Sequence, residues 1–134
     1  MKNQENIKKN VSIINNGKKQ VAEINFEITH PCILTIKTPD GEVFKSQGDD
    51  FFDCFVKIRK DTPQIIYQCK GAKRSVFPSR MTRSMSFGLK AYDVIQGLQA
   101  KKENEVDIFD YENHDIVSDP EEQVTYWKNW LSSL

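Results

Sequence analysis

From Val21 to Ile28 the chain alternates, with Ala22, Ile24, Phe26 and Ile28 on one side and Glu23, Asn25 and Glu27 on the other. A period of two in the apolar positions predicts a half-buried antiparallel strand. Ahead of it, Val11, Ile13 and Ile14 mark a short strand over residues 11–14. The intervening Asn15-Asn16-Gly17-Lys18 reads as a hairpin turn, because Asn and Gly tolerate positive φ. His30-Pro31 breaks the alternation, since proline has no N–H to give a ladder and restricts the residue before it. Residues 32–37, with Ile33, Leu34 and Ile36, predict the next strand. Thr38-Pro39-Asp40-Gly41 predicts a turn, and residues 42–45 a returning strand. The first 47 residues therefore read as a four-stranded antiparallel meander.

The period then changes. Phe51, Phe52, Phe55, Val56 and Ile58 make a helical stripe behind Asp49 and Asp50, either of which can cap it, with Asp53 and Lys57 spaced as an i,i+4 pair. Cys54, Val56 and Ile58 would also alternate as a strand, but the length, the cap and the stop at Asp61-Thr62-Pro63 favour a helix. Strands are predicted over residues 64–69, with an extension over 75–77 ended by Pro78. Another is entered through Gly88 over residues 87–95, where Leu89 to Ile95 also fits a short helix. An edge-like strand follows over 105–111, with Val106 and Ile108 against Asp107 and Asp110, and Phe109 on the opposite face. Residues 110–119 form an acidic loop. Ser118-Asp119-Pro120-Glu121-Glu122 is a helix start with a capping side chain, proline and first-turn acids. Val124, Trp127, Leu131 and Leu134 then recur at helical spacing, with Tyr126 and Trp130 beside them. The expected fold is α+β: a mainly antiparallel sheet packed by a central and a C-terminal helix, forming one domain over residues 1–134.

Charge alters this picture in its distribution rather than its sum. Lys+Arg and Asp+Glu are equal at 19 each, yet residues 1–100 carry a net +6 and residues 101–134 a net −6. The plainest reading is that the two parts neutralise each other. No acid lies between Asp61 and Asp93, while Lys70, Lys73, Arg74, Arg80, Arg83 and Lys90 all fall there. The three cysteines, Cys32, Cys54 and Cys69, are odd in number and far apart, which argues against a disulfide framework and for a reducing compartment. The N-terminal ten residues have no apolar signal-peptide region, and no apolar run approaches the roughly 20 residues of a membrane span. The expectation is a cytoplasmic protein away from membranes.

Catalytic patterns are weak. His30 and His114 are isolated and no C-x-x-C occurs, so zinc ligation lacks a ligand set. Cys69 precedes a cationic run but departs from the C-x5-R phosphate loop, and Cys54 reads as a small core residue. Nucleotide and acyl-transfer motifs are absent. Asp107, Asp110, Glu112 and Asp115 do not match a calcium-loop spacing and read as a solvated acidic surface. No enzyme activity, cofactor or metal is expected.

Four pieces, in order, carry a family resemblance: F-F-D-C-F-V-K-I-R-K from Phe51, C-K-G-A-K-R-S-V-F-P-S-R-M-T-R-S-M-S-F-G-L-K-A-Y from Cys69, V-D-I-F-D from Val106, and E-E-Q-V-T-Y-W-K-N-W-L-S-S-L from Glu121. Together they resemble the immunity proteins that accompany polymorphic toxins in bacterial contact-dependent growth inhibition. The P-S-x-M-x-R-x-M…G-x-K-A-Y core is the most specific piece, and Arg80 and Phe87 stand in it where the pattern has glycines. The resemblance implies a monomer that binds a cognate toxin C-terminal domain, in some cases a nuclease, and covers its active site. On that expectation Asp107, Asp110, Glu112, Asp115, Asp119 and Glu121 would steer toward a cationic partner, and Tyr111, with Tyr126 if exposed, would anchor it. Arg80 and Arg83 complete the expected partner-binding set. The alternative is a small basic-loop nucleic-acid-binding module using the segment 70–90, with Phe77 and Phe87 to stack on bases. In a third reading, the cations of the Arg80 loop only pair with the acidic C-terminal quarter.

Overall fold

A computed structural model describes residues 5–134, so the first four residues of the N-terminal reading lie outside the described residues. Asn16 and Gly17 both take left-handed backbone, φ 51° and 83°, and turn β1 (Glu5–Asn15) directly into β2 (Lys18–Ile28). Left-handed residues at both corners match the right-handed twist of a two-residue hairpin. β1 is much longer than the predicted 11–14. Its first residues are polar apart from Ile7 and show no alternation; the outer half of β2 holds them, with Ile7 opposite Phe26 and Asn10 opposite Glu23. β3 (Cys32–Lys37) and β4 (Val43–Gly48) follow as expected, joined through Gly41 at φ 93°.

α1 (Phe51–Asp61) starts where Asp50 Oδ1 accepts from the Asp53 N–H at 2.8 Å, and the Asp53–Lys57 pair forms at 3.3 Å. β5 (Ile65–Tyr67) returns along β1, which makes an antiparallel sheet of order β4-β3-β2-β1-β5. Directly opposed residues share a face. The inner face is therefore Val11, Ile13, Ala22, Ile24, Phe26, Leu34, Ile36, Ile65 and Tyr67, all buried, against Phe51, Phe52, Phe55 and Ile58 of α1. Burial of each such side chain contributes roughly 1.5–3 kcal/mol.

The remaining chain builds a second layer: β6 (Val76–Phe77), α2 (Arg80–Met85), β7 (Lys90–Asp93), β8 (Glu105–Asp107) and α3 (Glu121–Ser132), with the short sheet ordered β6-β7-β8. The fold is α+β and mostly antiparallel sheet. Among the described residues no helix is long and apolar enough to cross a membrane.

Several expectations change here. The strand predicted over 105–111 stops at Asp107, because Ile108 and Phe109 both leave the ladder and enter the core, Phe109 stacking on Phe26 at 5.2 Å. The strand predicted over 87–95 shrinks to β7, since Phe87 is left-handed at φ 56°. That is the position where a glycine was expected on resemblance, and the backbone shows why one would suit it. Arg80, the other such position, merely opens α2, a helix the sequence reading did not contain. On α3 the predicted stripe is rotated: Gln123 and Trp130 are buried, while Leu131 and Leu134 are exposed. Trp127 packs on Phe77 at 5.3 Å and Trp130 Nε1 donates to Leu98 O at 2.7 Å, so the helix docks on β6 and the turn before Lys101.

Candidate protein-binding surface

The segment between β6 and β7 is fastened from below at several points. Ser79 Oγ accepts from the Thr82 N–H at 3.1 Å and caps α2, while Thr82 itself is buried. Arg83 Nη1 donates to Asp50 Oδ2 at 2.8 Å, and its guanidinium lies over the rings of Phe52 and Phe77 at 5.6 and 5.5 Å. Asp50 therefore serves two elements, one carboxylate oxygen capping α1 and the other holding α2. Gly88, at φ 75°, passes so close to Asp50 that a Cβ there would meet its carboxylate at 2.8 Å. The Phe51 N–H donates to Phe87 O at 2.8 Å and closes the arrangement.

These fastenings leave apolar side chains outward beside Arg80 and Ser84. Met81 and Met85, one helical turn apart, are 65% and 77% exposed, and Phe87 is 46% exposed. Both methionines line a cleft of about 430 Å³ together with Thr82, Ser86, Tyr92, Ala100 and the charged Lys90, Lys101, Lys102 and Glu105. Methionine side chains are flexible and polarisable, and surfaces built on them adapt to varied apolar partners.

The predicted acidic residues do not converge on one surface. Asp107 meets Lys90 at 3.1 Å, Asp110 meets Lys9 at 3.1 Å, and Asp115 meets Arg74 Nε at 3.1 Å. Glu112 lies 3.2 Å from Lys70 and 3.8 Å from Lys73. Burial opposes its charge, but the His114 N–H, Lys70 and Lys73 together hold its carboxyl below the usual range. Lys73 also contacts Asp93 at 2.8 Å; burial works against its ammonium, and Asp93 and Glu112 outweigh that and hold its pKa up. Arg74 reaches Glu122 as well. The acidic C-terminal quarter is thus laced to the basic body. Of the expected partner residues, Arg83 is tied to Asp50, while Tyr111 is 58% exposed beside Val21 in a shallow cleft with Lys19 and Gln68. Among the described residues Arg80 meets no carboxylate, unlike Lys70, Lys73, Arg74, Arg83 and Lys90.

Beneath this lacing lies a buried polar node that the sequence reading missed. Arg59, 2% exposed, donates to Gln123 Oε1 at 2.7 Å, to Val117 O at 2.9 Å and to Gly71 O at 3.3 Å, and lies over the Phe55 ring at 5.3 Å. The Gln123 amide nitrogen shares its two hydrogens among the carbonyls of Gly71, Lys73 and Val76 at 2.8, 2.9 and 3.0 Å. Burial pulls the Arg59 pKa down to about 10, which still leaves it charged at neutral pH. The node fixes the backbone that carries Lys70, Lys73 and Arg74. Its only trace in the sequence is an arginine within an apolar helical stripe. Cys69 is fully buried nearby and burial pushes its thiol up to about 12; Cys54 is raised to about 11 for the same reason. Neither offers a reactive thiolate near neutral pH.

No protein-family model matches this chain and no curated protein matches it. What the fold and surface define is a class: an α+β, mostly antiparallel protein whose second layer holds two exposed methionines of one helix up to solvent.

Proposed function

We propose that this chain is a bacterial immunity protein, which binds one cognate toxin domain and covers its working face. The observation that carries the reading is the outward pair Met81 and Met85 on a segment pinned by Ser79, Arg83–Asp50 and Gly88. A rigid segment with exposed apolar side chains loses little conformational freedom on docking, and preorganisation of this kind strengthens association. The two side chains together leave on the order of 3 kcal/mol of apolar burial for a partner to supply. The sequence resemblance, whose most specific piece spans this same segment, supplies the partner class. The nucleic-acid alternative loses support because five of the six cations from Lys70 to Lys90 already face carboxylates of the same chain.

The test is co-expression with the toxin domain encoded beside this gene. Growth should be protected, and the two chains should co-elute as a complex on size exclusion. A neighbouring domain that kills cells equally well in the presence of this chain, or that never co-elutes with it, defeats the proposal.

A further inference from the structure

We propose that the cleft between α2 and the β7–β8 hairpin is the docking site, and that its occupant is a partner protein segment that is acidic and carries apolar side chains. This rests on the binding reading above and names the partner's chemistry, reversing the charge expected from the sequence. The carboxylates of Asp107, Asp110, Glu112 and Asp115 are offset by Lys90, Lys9, Lys70 and Arg74 at 3.1–3.2 Å, so little free negative charge remains there to recruit a cationic partner. At the cleft the balance is the other way. Lys101 and Lys102 line it and are exposed, Arg80 stands one residue before Met81, and no carboxylate pairs with any of the three among the described residues. The cleft's own acid is Glu105, Glu103 stands exposed beside Lys102 outside its lining, and Lys90 is already balanced by Asp107. Met81, Met85, Tyr92 and Ala100 beside two unpaired lysines match a segment whose apolar side chains enter and whose acids meet Lys101 and Lys102. Desolvation of the methionines supplies the binding energy, while the rim charges set orientation and encounter rate. Concavity favours a protein segment over an anionic bilayer. A cleft of about 430 Å³ accepts inserted side chains, whereas a planar surface is met by a protruding apolar face.

Two fluorescein-labelled synthetic peptides sharing the same Leu and Phe positions, with all polar positions Glu in one and Lys in the other, test this by polarisation on the full chain. The Glu peptide should bind, more weakly as salt rises. Met85→Glu and Lys102→Glu should each weaken it about tenfold or more without moving the urea midpoint, because both positions are exposed. Equal binding of the Lys peptide, no binding of either, or unchanged affinity in both variants overturns the proposal. So does chain that ignores both peptides yet sediments with phosphatidylglycerol vesicles. Growth protection by the same variants separates the two readings. Protection that survives both substitutions overturns the cleft and leaves the immunity reading; Glu-peptide binding without any protection by the natural chain does the reverse.

Discussion

Along the loop from Asp107 to Asp115 each carboxylate meets a cation from a distant part of the chain, whereas beside α2 the cations of Lys101, Lys102 and Arg80 face solvent. Both regions are rich in charge, yet only the second has charge left over. The partners of the first are remote, 101 residues apart for Lys9 and Asp110 and 42 for Lys70 and Glu112. Density of charge along a sequence therefore marks where a fold neutralises itself as readily as where it recruits a partner. The residual chemistry lies where cations are left without an ion pair and apolar side chains stay uncovered.

The comparison implies that the laced region is held from within and that the α2 cleft contributes little to stability. Its sharpest test is Gln123→Ala, which takes the side-chain amide away from the carbonyls of Gly71, Lys73 and Val76 and removes the Arg59 partner at 2.7 Å. Leaving buried polar groups and a buried charge under-satisfied should cost about 3–5 kcal/mol in urea unfolding. A loss below about 1 kcal/mol would mean the node does not support the laced surface.

Asp50→Ala should cost less, about 2 kcal/mol, because it removes the α1 cap and the carboxylate that holds Arg83. It should also loosen α2, seen as faster amide exchange at Thr82 and Arg83; unchanged exchange there would detach α2 from its supposed anchor.

Alkaline pH should weaken the core next. Cys54, Cys69 and Tyr67 have folded-state values raised by burial to about 11, 12 and 12, from ordinary values of 9, 9 and 10. Their contribution is complete below pH 9 and is lost progressively as pH rises from 9 toward 12, since the unfolded chain gives up those protons first. Arg59 acts in the opposite sense, its folded value being lowered to about 10, so it regains stability above that pH. Three groups against one predict a urea midpoint lower at pH 10.5 than at pH 8; a midpoint that rises would show that the arginine dominates.

The smallest effect belongs to an exposed pair. Asp110→Asn should change stability by less than about 0.5 kcal/mol, because both side chains of the Lys9 pair are over 40% exposed. An effect several times larger would show that the lacing is individually stabilising, and would undo the contrast with the node below it.

Much of the fold was legible because its signals are local. Asn16-Gly17 specifies a hairpin, the alternation of β2 specifies a buried face, and Asp50 before three phenylalanines specifies α1. α2 was not legible: six polar and methionine residues show no amphipathic period, and only Ser79 behind Pro78 hinted at a cap. The rotation of α3 was hidden too. Gln123 outranks Leu131 for the interior because three carbonyls need its amide, a demand raised by residues 47 to 52 positions away.

The candidate site was legible only in part. Arg80 and Tyr111 stand exposed, Arg83 proves to be an anchor, and Met81, Met85, Lys101 and Lys102 were passed over. By itself the sequence determined the α+β class, the meander and the two main helices, since turn chemistry and hydrophobic period act over a few residues. The tertiary structure alone decided which charges are free and which apolar side chains stay uncovered. Both depend on what lies across space, and distance in space is set by the packing of strands that are far apart in the chain.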